Sequence, residues 1–475
     1  MLPSKVTRLI IASLASTLWL VSTVVAENNY PIVLVHGLTG WSRSEFAGVK
    51  YWGGIHGDYE QDLRAQGYDV RTAAIGPFSS NWDRACELYA YIKGGCVNYG
   101  PNHAKKHGHN ATGRCFEGIY PEWGNVVDGK VNKVHFLAHS MGGQTVRMLA
   151  QLLAHGTKGA PLEEDASTHP LFAGGKDWVH SITTVSACNQ GMVFWNAMDQ
   201  VGELVKTFLG AAVSAANSLG GRSASIYDAK LDQWGVAPRK SDESLSNYIQ
   251  RIWSSRMFQP GFADFAFHDM TTAVANNDLK WVKTLPNIFY YSFSTQDTFR
   301  LFDVELPRVQ SMLPIFQPLS VLLGSKYPLT QGFSREWQAN DGLVNTISMR
   351  YDGAAEVVDG PSESKTGRWH HLAKFTTLDH LAIVGFKPFK NVLDVYQIHA
   401  KLLYNLPVAD GKARRLEDGS IVHTTPPEIV EQLKRLVKEL NAPNEEEDIR
   451  ATCTQPKDDT TKQLCEKHFK SKASF

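Results

Sequence analysis

The chain has 475 residues, enough for one large α/β domain with insertions. Hydrophobic residues make up 43% and charged residues 20%, the ordinary balance of a globular protein able to bury a core. Lys plus Arg and Asp plus Glu both number 48, so nothing in the charge points to nucleic acid or to an anionic membrane surface.

Residues 1–26 read as a secretory signal peptide. Lys5 and Arg8 give the positive start, Ile10 to Val25 is apolar but for Ser and Thr, and Val24 and Ala26 are small residues at a cleavage site. The apolar run is short for a spanning helix, so the expectation is a secreted, extracellular protein with no permanent membrane anchor. Residues 27–409 follow as the main domain. Pro31 to His36 (PIVLVH) suits a parallel strand buried on both faces. Helical patterns follow at Tyr59–Gln66 and Asp83–Ile92.

Tyr51 to Tyr120, rich in Gly, His, Trp and Cys, reads as an insertion. Within it Asp83 precedes His103, His107 and His109, and two histidines with two carboxylates make a zinc ligand set. The spacing does not choose among the three histidines. Asn110-Ala111-Thr112 is a glycosylation sequon. Export makes disulfides possible. Cys96 and Cys115 bracket one loop and Cys453 and Cys465 lie close together near the C-terminus, although six cysteines allow many pairings. Cys86 and Cys188 remain as buried thiols.

Val134 to Ala138 (VHFLA) is the next strand and runs into His139-Ser140-Met141-Gly142-Gly143, with a helical pattern at Gly143–Leu153. This is the strand–turn–helix setting of a nucleophile elbow, in which the small residues Ala138 and Gly142 flank Ser140. The Met141 N–H, at a helix start, suits an oxyanion, and the loop His36-Gly37-Leu38-Thr39-Gly40 offers Leu38 N–H as a second donor. Further strands are expected at Ile182–Ala187 and Ile288–Phe293. Strands alternating with helices imply a mostly parallel sheet with right-handed crossovers. Asn196–Gly220 reads as a second, helical insertion, and Leu301–Leu323 as a largely apolar stretch.

A serine nucleophile needs a base and an orienting carboxylate, in the chain order Ser, acid, His. Asn340-Asp341-Gly342 supplies an acidic turn, and Thr377-Leu378-Asp379-His380-Leu381 a histidine in a loop. His380 is favoured over His370 and His371, and Asp379 stays open as the acid. From Asp410 the chain is charged and poor in aromatics, with an amphipathic helix at Pro427–Leu440 and an acidic run at Glu445–Asp448. Residues 410–475 are expected to be a C-terminal extension, partly disordered.

The runs PIVLVHGLTGW, KYWGG, GPFSSNWDRACE, HAKKHGH, AHSMGGQT, KLDQWG and NDGLVNT resemble the thermoalkalophilic lipases of Bacillus and Geobacillus, and more loosely the staphylococcal lipases. The resemblance implies an α/β-hydrolase fold carrying a zinc-binding insertion and a helical lid over Asp199–Leu219. It maps Ser140, Asp341 and His380 as nucleophile, acid and base, and Leu38 and Met141 as oxyanion-hole residues. It assigns zinc to Asp83, His103, His109 and Asp264. Four protein ligands leave no open position, so the zinc is expected to be structural. Ala382 and Lys387 stand where that family has calcium-binding carboxylates, so calcium is not expected. The implied activity is hydrolysis of long-chain acylglycerols at a lipid–water interface. The alternatives are a phospholipase or acyltransferase on the same scaffold, or a catalytically silent lipid-binding protein.

Overall fold

The fold is taken from a computed structural model, which describes residues 28–193, 227–240, 242–259, 262–388, 390–408, 413–441, 445–454, 456 and 459–473. The expected signal peptide (1–26) and lid helix (Asp199–Leu219) lie outside the described residues. Seven strands build the central sheet: β1 (Ile32–Val35), β2 (Val70–Ala73), β3 (Val134–His139), β4 (Val179–Val185), β5 (Phe289–Thr295), β6 (Val357–Asp359) and β7 (Trp369–Phe375). Their order is β6-β7-β5-β4-β3-β1-β2 and every pairing is parallel.

The pleat explains why β1 is apolar throughout. Ile32 and Leu34 point into one hydrophobic cluster, and Val33 and Val35 into another on the opposite face. The first cluster is completed by helices α1 (Tyr59–Ala65) and α5 (Leu393–Tyr404), through Tyr59, Leu63, Tyr396 and Leu403. The second is completed by α2 (Asn81–Lys93) and α4 (Gly142–His155), through Ala85, Leu88, Val146 and Leu149. A further helix, α3 (Pro101–His107), contributes to the candidate metal site described below. Among the described residues no helix is long and apolar enough to cross a membrane.

Two expectations about organisation change. The region 51–120 is not wholly an insertion, because β2 is the edge strand of the central sheet and α1 and α2 cover its two faces. A strand of only four residues, VRTA, carries too little hydrophobic signal to stand out among Gly, His and Trp. Within that region, the hairpin Gly95–Asn98/Thr112–Phe116, with α3 between its strands, stands apart from the central sheet.

The region after residue 410 is joined to the core. Val422–Thr424 pairs antiparallel with Glu363–Lys365, and α6 (Pro427–Leu440) buries Ile429, Leu433, Leu436 and Leu440 in the cluster that holds α5. Helices α7 (Glu445–Thr454) and α8 (Asp459–Ala473) follow, joined by the Cys453–Cys465 disulfide. They lean Ile449 and Leu464 on the hairpin Thr298–Leu301/Val304–Pro307, and Asp448 forms an ion pair with Arg308. Cys96 and Cys115 face each other across their hairpin and are bonded. Cys86 and Cys188 are buried free thiols.

Candidate active site and metal centre

Ser140 sits on the turn between β3 and α4 with φ 57°, a left-handed conformation that a non-glycine residue adopts at a cost. The turn is tight enough to exclude larger neighbours. A Cβ on Gly142 would lie 2.7 Å from the Val35 carbonyl oxygen, and one on Gly37 would lie 2.5 Å from Ser140 Cβ. The loop after β1 therefore rests directly against the serine.

The side chains named from sequence converge here from three separate segments. His380 Nε2 lies 2.9 Å from Ser140 Oγ, and His380 Nδ1 lies 2.8 Å from Asp341 Oδ2. Asp341 Oδ2 also accepts from Thr295 Oγ1 at 2.7 Å, and its Oδ1 accepts from the Leu343 and Val344 N–H groups. Asp379, the other candidate acid, is turned away. Its carboxylate accepts the N–H groups of Leu313, Leu381 and Ala382, and burial raises its pKa. His370 and His371 are core residues of β7. His371 bridges Ser292 and Ser294 of β5, and His370 accepts the Lys365 N–H. Among the described residues, neither the Leu38 nor the Met141 N–H is taken by another group.

His139, beside the serine, was not singled out by sequence reasoning. Tyr51 O–H donates to His139 Nδ1 at 2.6 Å, and His139 Nε2 faces the His380 carbonyl at 3.0 Å. With Nδ1 accepting, Nε2 carries the proton and donates to that carbonyl. Burial, with the nearby His380 adding to it, holds the His139 pKa well below the usual histidine value. The imidazole therefore stays neutral and fixes the backbone of the His380 loop. Its signal lies in the AHSMGG run, where it directly precedes the serine.

Lys387 directs its ammonium to the Thr377 carbonyl, 4.0 Å from the buried Asp297 carboxylate. Asn441, just past α6, accepts the Thr376 N–H and donates to the Lys374 carbonyl, so the end of α6 ties the strand–loop junction that leads to His380.

The second cluster lies at α2 and α3. Ligand atoms of Asp83, His103, His109 and Asp264 all fall within 4.8 Å of one another. His103 Nε2 is 3.3 Å from Asp83 Oδ1 and 3.2 Å from Asp264 Oδ2, and His109 Nε2 is 3.3 Å from Asp264 Oδ2. Tetrahedral ligands about 2.0–2.1 Å from a zinc ion stand about 3.3–3.4 Å apart. The same four atoms are buried with no hydrogen-bond partner, the arrangement expected of atoms aimed at a cation. His107 is not in the set. The surroundings orient the ligands. His109 Nδ1 bonds the Asn110 carbonyl, Gln233 donates to Asp83 Oδ2, and Trp82 stacks on His103. Glu164 holds the first turn of α3 by accepting the Asn102 and His103 N–H groups. Glu164 was missed, since nothing local in sequence ties it to α3. Asn110 itself is exposed.

A serine on the strand–helix turn of a wholly parallel sheet, in hydrogen-bonded series with a histidine and a carboxylate from later loops, defines an α/β-hydrolase. The family model described as the lipase-like, C-terminal domain matches residues 28–403, and the chain belongs to that family. A lipase of Staphylococcus epidermidis is 33% identical over 368 residues, which are 76% of this chain and 50% of that protein. The chain thus spans about half the length of the curated relatives it matches. Among solved structures, lipase 1 from Pelosinus fermentans is 41% identical with a TM-score of 0.71, covering 80% of this chain and 100% of that one. EstA from Clostridium botulinum is 38% identical, also with a TM-score of 0.71, covering 82% and 90%.

Proposed function

We propose that the protein is a secreted lipase that hydrolyses the carboxylic esters of long-chain acylglycerols through a Ser140–His380–Asp341 triad. The observation that carries the reading is the unbroken series from Ser140 Oγ to His380 to Asp341, with the Leu38 and Met141 N–H groups unbonded among the described residues. His380 Nε2 takes the Ser140 proton as Oγ attacks the ester carbonyl. The Leu38 and Met141 N–H groups receive the oxyanion, and the imidazolium is steadied by Asp341. His380 then protonates the leaving alcohol, and water, activated by the same imidazole, releases the fatty acid. The names of the relatives support the substrate class.

The donor set of two imidazoles and two carboxylates supports zinc in the second cluster. Bound there, zinc would join α2, α3 and the Asp264 segment without taking part in ester cleavage. Calcium has no role in this reading. The region around Asp199–Leu219 is assigned as a lid, residues 1–26 as a signal peptide, and Asn110 as a glycan acceptor if the host glycosylates.

The test is hydrolysis of triolein and tributyrin emulsions by wild type and Ser140→Ala. Activity on both, lost in the variant, is expected. Activity on tributyrin alone would reassign the protein as a short-chain esterase. Inactivity on both, with cleavage of phospholipids or acyl transfer to alcohols, would move the assignment to those reactions. No covalent labelling of wild type by a fluorophosphonate would leave a silent lipid-binding protein.

A further inference from the structure

The loop that follows β1 packs Gly37 against Ser140, and the two peptide groups that flank Gly37 differ in their hydrogen bonds. In the His36–Gly37 peptide, the carbonyl accepts from Arg84 Nη2 at 2.5 Å and the N–H donates to Tyr51 Oη at 3.2 Å. In the Gly37–Leu38 peptide, the carbonyl faces His36 Nδ1 at 2.9 Å and accepts the Gly40 N–H in a longer bond of 3.3 Å, and among the described residues the Leu38 N–H is taken by nothing. The His36 tautomer follows from its other nitrogen. Ile75 N–H donates to His36 Nε2 at 3.2 Å, so Nε2 is bare, Nδ1 carries the hydrogen, and that hydrogen points at the Gly37 carbonyl.

His36 is fully buried, and its ring lies against Gly40, where a Cβ would come within 2.1 Å of Nδ1. Burial, reinforced by the Arg84 charge, keeps the ring neutral. A carbonyl held by a donor fixes the plane of its own peptide and polarises the N–H at the other end of the same unit. An oxyanion donor is worth most when its direction is set before the charge develops.

We infer that His36 is a positioning residue for ester cleavage: through the Gly37 carbonyl it aims and polarises the Leu38 N–H, the first oxyanion donor. The inference rests on the triad reading above, since it needs an oxyanion to form at Ser140. Tyr51 and Arg84 hold the preceding peptide, so among the described residues the Leu38 N–H is the amide of the pair left for substrate.

Two substitutions separate the bond to Gly37 from the bond to Ile75. In His36→Asn the side-chain amide can stand where Nδ1 stood, which keeps the Gly37 contact and gives up Ile75. In His36→Gln the amide can stand where Nε2 stood, which keeps Ile75 and gives up Gly37. The measurements are kcat and KM on a soluble ester, and the affinity of an alkyl boronic acid, whose tetrahedral adduct places an oxygen in the hole. Expected for His36→Gln is a fall in kcat of roughly 10- to 100-fold with KM within about twofold, matched by an equal loss of boronate affinity. Expected for His36→Asn is kcat within about threefold of wild type.

Equal loss in both variants, or a kcat loss that boronate binding does not share, would overturn the inference and leave His36 a core residue. If neither histidine variant folds, the wild type decides, through the 15N shifts of the His36 ring in selectively labelled protein. A hydrogen on Nδ1, with the Leu38 amide proton shifted downfield on boronate binding, supports the inference, and a hydrogen on Nε2 or an unmoved Leu38 amide overturns it. A wild type that no fluorophosphonate labels refutes the triad itself, an outcome distinct from either result with the variants.

Discussion

Asp341 and Asp379 are both acidic, both buried and both close to His380 in the fold, yet only one faces the imidazole. Sequence could rank them only by motif, because the choice is made by the direction of the His380 ring and by what else claims each carboxylate. Asp379 spends its oxygens on three backbone N–H groups, two of them in its own turn. The two positions should therefore separate on mutation. Asp341→Asn is expected to lower kcat by about 10³–10⁴-fold with little change in Tm. Asp379→Asn should lower Tm and leave kcat much closer to wild type. Steady-state kinetics and thermal melts on the two variants make the comparison, and a reversed pattern would exchange their roles. Ser140 itself was legible because its neighbours are dictated by space: Gly37 and Gly142 have no room for a Cβ.

At the level of elements, legibility followed burial. β1 and β3 to β5 announce themselves as apolar runs because both faces of the sheet are covered. β7 does not, since WHHLAKF reads as polar. Its histidines are internal partners instead: His371 bonds two serines of β5 and His370 Nε2 accepts the Lys365 N–H, which only the fold reveals. Helix α6 was read with its ends correct from its 3.6-residue apolar period, but its destination was not. Periodicity identifies a face without naming what covers it. The cover here is the α5 side of the main core, so α6 should behave as a core helix. Leu433→Ala is expected to cost about 2–4 kcal/mol, read as a lower midpoint in urea melts. A change below ~0.5 kcal/mol would restore the picture of a loose appendage.

Across the whole molecule, buried histidines set the response to acid. Burial lowers the pKa of His180 and His399 to about 3 and of His370 and His371 to about 4, and lowers His135 well below its usual value. These rings stay neutral in the fold but titrate near 6.5 when unfolded, so the unfolded state binds more protons below that pH. Their contribution is complete above pH 6.5 and is lost as pH falls toward 3. Glu87, Asp278 and Asp297, raised by burial to about 7, act oppositely between about pH 4 and 7. Below pH 4 that opposing contribution is exhausted, and the loss from Asp58, Asp228 and Asp352, whose partners hold them below the usual carboxylate range, adds to that of the histidines. Tm should fall between pH 6.5 and 3, most steeply at the lower end, and a flat profile there would show that the rings are not buried neutral.

The metal cluster acts at the same scale. Removing the proposed zinc with a chelator should lower Tm by roughly 10 °C, as expected for a site whose binding energy is folding energy. Zinc should restore it, calcium should not, and Asp264→Ala should be insensitive to the chelator. A chelator that leaves Tm unchanged in wild type would remove the structural metal from the account. Sequence named the ligand types, but the choice of His103 and His109 over His107 rests on side-chain direction within and just beyond one short helix.

The seating of α6 also bears on when the protein can finish folding. Its apolar face belongs to the same cluster as Ile32 and Leu34, about four hundred residues earlier in the chain, and the tie from Asn441 secures the junction before His380. A chain emerging from its N-terminus can form β1 to β5 and their helices, yet it carries an uncovered apolar patch until Pro427–Leu440 arrives. The main core therefore closes only after α6 has been made. A product cut short by translation or by a protease before Pro427 would keep every residue of the triad and still present a sticky, unfinished face to quality control.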